Sequence, residues 1–121
     1  MVFTNYGKSG LVVTIGTTSS TRPQYMAIGS GSGVAAVTNA SLIHEVSRIA
    51  LTSGSVDASN YEIEYVADWN SVTMSGIALR EFGMFSESVA NIGSIWNKEV
   101  FNAVTFDGSN ELQIQLTYEV Y

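Results

Sequence analysis

Glu111-Leu-Gln-Ile-Gln-Leu-Thr-Tyr-Glu-Val-Tyr121 decides the fold. Leu112, Ile114, Leu116, Tyr118 and Val120 alternate without a break with Glu111, Gln113, Gln115, Thr117 and Glu119. A strand turns successive side chains to opposite faces, so this period of two predicts a strand with five apolar side chains on one face. Burying each would contribute about 1.5–3 kcal/mol, which predicts that the stretch belongs to the core. The same strand is long, β-prone and weakly charged, a hazard if it lies at an open sheet edge.

Upstream, Asp107-Gly108-Ser109-Asn110 reads as an Asp-Gly hairpin turn leading into that strand. Ile92 to Phe106 reads as a strand, with Ile92, Trp96, Val100 and Val104 in one parity. Ile77 to Phe85 is a mostly apolar strand interrupted by Arg80 and Glu81. Tyr61, Ile63, Tyr65, Ala67 and Trp69 alternate with Glu62, Glu64, Val66 and Asp68, another strong strand signal, with a turn at Asn70-Ser71. Arg48 to Thr52 reads as a strand closed by a turn at Ser53-Gly54-Ser55, and Ala40 to Val46 as one helical turn. Pro23 precedes a short strand, Gln24 to Gly29, and Ser30 to Asn39 reads as a loop. Over Thr4 to Gly16 two readings stand. Thr4 or Asn5 can cap a short helix through Ile15 with Gly16 as its stop, or Val12, Val13 and Ile15 can form a strand. Gly7 and Gly10 weaken both. Four strands with short connections in the second half favour antiparallel pairing and two packed sheets. The expectation is one all-β domain over 1–121, an antiparallel β-sandwich with room for one short N-terminal helix.

The chain has 121 residues, 45% apolar, enough for one real core. Only 13% is charged. Either hydroxyls replace charges on the surface, or a partner covers part of it. The net charge is −6, and Lys8, Arg22, Arg48, Arg80 and Lys98 are scattered, unlike the clustered cations that bind phosphate backbones. Nucleic acid is therefore not an expected partner. The absence of cysteine excludes disulfides, thiol catalysis and thiolate metal sites. No run is long enough for a membrane helix, and Met1-Val-Phe-Thr-Asn-Tyr6 lacks the pattern of a secretory signal.

Each candidate for chemistry has a plainer reading. Gly7-Lys8-Ser9 would end a phosphate-binding loop, but Val2 stands where that motif needs its first glycine. Gly29-Ser30-Gly31-Ser32-Gly33 lacks dinucleotide-site spacing and reads as a flexible or tightly turned loop. His44 is the only histidine and no nucleophile-elbow sequence accompanies it, so it reads as structural or exposed. Glu62, Glu64 and Asp68 share a strand face and could hold calcium, although a solvated face explains them better. Asn39-Ala40-Ser41 is a glycosylation sequon that means little without secretion. Arg80 and Glu81 do not pair with each other, because strand neighbours point apart. Each needs a buried partner, such as Arg48 or a backbone amide for Glu81, or else reaches a neighbouring subunit. No catalytic, cofactor-binding or metal-binding set is expected. Trp69, Trp96, Tyr118 and Tyr121 are the expected core or interface anchors, since aromatics dominate both.

Thr4-Asn-Tyr-Gly-Lys8, Tyr25-Met-Ala-Ile-Gly-Ser-Gly-Ser-Gly33, Leu42 to Arg48, and the strand with Glu81, Gly83 and Phe85, followed by a final alternating strand, together resemble a group of small bacteriophage virion proteins. The resemblance covers most of the chain through short motifs, and the Tyr-rich end departs from the usual hydroxyl-rich one. It implies a non-enzymatic β-sandwich repeated around a virion, as a tail, baseplate, fibre-attachment or capsid-decorating part, assembled in the host cytoplasm. Its implied partners are other copies of itself and other virion proteins. A carbohydrate-binding module for host-surface glycans, with exposed Trp or Tyr as a stacking platform, is the alternative, and a small hydrolase a more distant one.

Overall fold

The computed structural model describes residues 1–17, 22–70, 76–89, 95–105 and 111–121. In chain order the elements are β1 (Val2–Phe3), α1 (Asn5–Gly16), β2 (Tyr25–Gly29), β3 (Glu45–Ala50), β4 (Ser53–Asp57), β5 (Glu62–Trp69), β6 (Ala78–Phe85), β7 (Ile95–Thr105) and β8 (Leu112–Glu119). They form an all-β sandwich with one short helix. The large sheet runs β1-β7-β6-β2-β3 and the small one β4-β5-β8, and every pairing is antiparallel.

The main core lies between the sheets. Met26, Ile28, Leu79, Met84 and Trp96 come from the large sheet and Ala67, Trp69 and Leu116 from the small one. The Trp69 indole N–H donates to Ser47 Oγ at 3.2 Å, tying β5 to β3 across the sandwich. A second cluster, Ala27, Leu42, Phe85 and Ile95, packs the 30–44 segment onto the large sheet through Leu42.

Several expectations are corrected. The 40–46 stretch makes no helical turn, and Glu45 and Val46 already belong to β3. Ser53-Gly54-Ser55 is strand β4, because these residues find ladder partners in Val66, Tyr65 and Glu64. Tyr61 stands outside β5 with φ 59°, closing the β4–β5 turn. The Asp107–Asn110 turn, Ile92 and Phe106 lie outside the described residues, as does Ser71. The strands flanking that turn do not form a hairpin, since β7 pairs with β6 and β1 while β8 pairs with β5. The final strand is an edge strand. Of its five alternating apolar residues Leu116 is buried, Leu112, Ile114 and Tyr118 are half-buried, and Val120 lies beyond the strand and is 69% exposed.

Candidate functional site

Motifs that are far apart in sequence meet on the outer face of the large sheet. Glu81 of β6 is fully buried. Its Oε1 accepts the backbone N–H groups of Gly31 (3.2 Å) and His44 (2.8 Å), and its Oε2 accepts that of Ile43 (3.0 Å). Lys98 Nζ of β7, also buried, lies 3.4 Å from Oε2. A buried carboxylate persists only with such a set of donors and a counter-charge. The glycine run follows from it. A Cβ on Gly31 would stand 2.6 Å from Glu81 Oε1 and 2.5 Å from Ile43 Cβ, and one on Gly29 would strike Glu81 Oε1 and the His44 carbonyl. Close approach, not looseness, is what these positions require. Beside this knot, Arg48 and Glu45 form a bidentate pair, nearly fully buried, with the guanidinium 3.6 Å above the Phe85 ring.

The knot holds the 30–44 segment, and that segment holds the helix. Asn5 N–H donates to the Val37 carbonyl at 2.7 Å, and Ile95 N–H to the Ala40 carbonyl at 3.2 Å. Thr4 is the buried N-cap, its Oγ1 accepting Gly7 N–H at 3.0 Å and donating to the Ile95 carbonyl. Helix α1 buries only Gly7 and Gly10. A Cβ on Gly7 would overlap the Trp96 backbone, so the helix lies against β7 with glycine as its contact face. Its large aliphatic residues therefore point away: Val12 is 70% and Ile15 78% exposed, with Leu11 and Val13 also exposed. Between α1 and the small sheet opens a cleft of about 830 Å³, lined by Leu11, Val56, Tyr65, Trp96, Tyr118 and Val120 among others. Tyr118 crosses it edge-on to Tyr65 and donates to Asn97 Oδ1. Burial raises both phenols above the ordinary tyrosine value, and for Tyr118 the neighbouring Tyr65 adds to the rise. Neither ionises near neutral pH, so the cleft offers apolar surface and neutral hydroxyls.

Trp69 and Trp96 are core residues and Tyr118 half-buried, whereas Tyr121 is fully exposed and is not a core anchor. Glu81 takes backbone amides, as anticipated, together with Lys98; Arg48 belongs to Glu45 instead. Arg80 reaches the Ser30 carbonyl at 3.5 Å, so both charges of that strand serve the glycine loop. The His44 ring is exposed and shares a 2.6 Å hydrogen bond with Ser30 Oγ through Nδ1. Glu81 meets the His44 backbone N–H, not its ring. Among the described residues no three His, Asp or Glu side chains stand close enough to hold a metal ion, and Asp68 instead accepts from the Gln113 amide at 2.9 Å. Sequence reading missed Lys98 as the partner of Glu81 and missed the outward apolar face of α1. Gly7 and Gly10, three apart and followed by Leu11, Val12, Val13 and Ile15, were the signal for the second.

No helix among the described residues is long and apolar enough to cross a membrane. No protein-family model matches this chain, and no curated protein matches it either.

Proposed function

We propose that this chain is a non-enzymatic structural subunit of a bacteriophage particle, tail-associated and present in multiple copies. The observation that carries the multi-copy part is α1. A helix that buries glycines and exposes Leu11, Val12, Val13 and Ile15 leaves apolar surface that association would cover. The virion part rests on the resemblance, whose motif residues include Gly29, Gly31, Glu45, Arg48, Glu81 and Phe85. Each of these has a packing or tethering role in the knot or beside it, which suits an architectural part. Capsid decoration is the same reading at another place in the particle. A glycan platform would have to draw on tyrosines such as Tyr6, Tyr61 and Tyr121, because both tryptophans are buried.

Sedimentation of the purified chain over a range of concentrations, with imaging of native particles labelled for it, tests the proposal. Defined multimers and a regular tail label are expected. A monomer at every concentration, with specific binding on a glycan array, would overturn it in favour of the carbohydrate module.

A further inference from the structure

We infer that two copies of this chain join through their β8 strands, antiparallel about a two-fold axis at Leu116, making one continuous sheet from two small ones. The inference rests on the multi-copy reading and adds to the α1 face a second surface, the β8 edge.

The sheet edges differ in how well they are protected. β1 has two residues, β3 meets β2 with a register irregularity and carries the buried Glu45–Arg48 pair, and β4 is short with Gly54 and Asp57. β8 pairs with β5 over eight residues without a break and has no proline, lysine or arginine. Among the described residues its one protective device is the charge of Glu119 at its end.

The register follows from hydrogen-bond parity. Val120 N–H donates to the Tyr61 carbonyl, so the even-numbered residues of β8 point their backbone groups at β5. Gln113, Gln115, Thr117 and Glu119 point theirs at the open side. Centring the pair on Leu116 sets Gln113 opposite Glu119 and Gln115 opposite Thr117 and uses all of these groups, about eight interchain hydrogen bonds. Centring it on Gln115 would set Glu111 opposite Glu119, two like charges facing each other, which opposes that register. The inner face discriminates further. In the Leu116 register Val120 of one copy stands opposite Leu112 of the other. Leu112 and Ile114 line an apolar hollow of about 210 Å³ with Leu79, Phe82, Phe101 and Val104. Val120 is a projecting apolar side chain, and the hollow beside Leu112 has the size and chemistry to receive it. Leu112 opens β8 and Val120 follows its last residue in the same chain, so a two-fold satisfies each twice.

The chain has no cysteine, which makes cross-linking a clean test. Hydrogen-bonded antiparallel partners have Cα atoms about 5.5 Å apart, within disulfide reach. Gln113→Cys and Glu119→Cys chains, mixed under mild oxidation, are expected to give a disulfide-linked heterodimer, while neither alone cross-links, since like positions lie about 20 Å apart in this register. The double variant Gln115→Lys with Thr117→Lys, whose side chains face solvent within the fold, should weaken dimerisation about tenfold by placing lysines opposite lysines while leaving the melt cooperative. If the mixture cross-links no faster than either chain alone while multimers still sediment, the β8 surface is refuted and the multi-copy reading stands. If the unmodified chain is a monomer throughout, both fall.

Discussion

Glu81→Gln is the sharpest perturbation of the knot. The glutamine amide matches the carboxylate in shape, so the cavity stays filled. If its carbonyl takes the place of Oε1, it keeps the Gly31 and His44 amides. Its NH₂ group then faces Ile43 N–H, a donor against a donor, and leaves Lys98 buried without a counter-charge. Removing one partner of a buried ion pair costs about 3–5 kcal/mol, and the unsatisfied amide lies within that figure. Against a total of about 5–15 kcal/mol for a domain, the variant loses a large part of its stability. Lys98→Met should cost less, because the carboxylate keeps three backbone donors. Adding Lys98→Met to Glu81→Gln should recover at least ~1 kcal/mol, since the stranded charge is gone. Urea unfolding followed by fluorescence reads these differences. Amide exchange adds the structural half: protection should fall at Ile43 and also at Asn5, which the 30–44 segment holds through Val37. Stability of Glu81→Gln within ~1 kcal/mol of the parent, with unchanged exchange at Asn5, would refute the argument that this carboxylate positions the helix.

Trp69→Ala should cost about 3–5 kcal/mol in the same urea assay, because the ring is buried between the sheets and leaves a cavity. Gly31→Ala should cost about 1–3 kcal/mol, since its Cβ meets Ile43 Cβ and Glu81 Oε1 and neither can retreat freely. Asp57 accepts the Asn60 amide side chain at 2.7 Å and the Asn60 and Ser59 N–H groups, which hold its carboxyl below the usual value. Its contribution is therefore complete above the unfolded carboxylate range and is lost as pH falls through the lowered value, so Asp57→Ala should flatten the acid limb of a stability-against-pH curve. His44→Ala should leave stability and multimer size nearly unchanged, because the ring is exposed and its bond is to the hydroxyl of half-buried Ser30; a large loss in assembly would show that this pair lies in an interface.

What was legible in the sequence is what depends on local period. β5 and β8 declare themselves by alternation, whereas the sequence left helix and strand open over Thr4 to Gly16 and offered Thr4 or Asn5 as the cap; the structure has the helix, with Thr4 as its cap. What was not legible depends on which strands meet. Asp107-Gly108 before β8 is a good local hairpin signal, yet β7 and β8 belong to different sheets, and no local propensity records that. Alternation also misleads at irregularities. Leu79 and Phe82 both pack against the main core although their parity differs, because the register shifts between Leu79 and Glu81. The embedded charge at Glu81 could be recognised as needing donors, but Lys98 lies on a neighbouring strand whose register was unknown.

The low charge content takes on a definite meaning once these placements are known. Glu45, Arg48, Glu81 and Lys98 are almost fully withdrawn from solvent. The surface is thus poorer in charge than the 13% of the sequence suggests. Charge on a surface does two things: it solubilises, and it repels unwanted strands and apolar faces. Glu81, with Lys98 beside it, tethers the 30–44 segment and so fixes α1 against β7, while Glu45 and Arg48 pair with each other. The chain leaves the outward side of α1 aliphatic and the middle of the β8 edge neutral. Of the two explanations for a neutral surface, hydroxyl substitution accounts for Thr117 but not for Leu11, Val12, Val13, Ile15 and Val120. Those five are exposed aliphatic residues, and the proposed multi-copy assembly is the reading that would cover them.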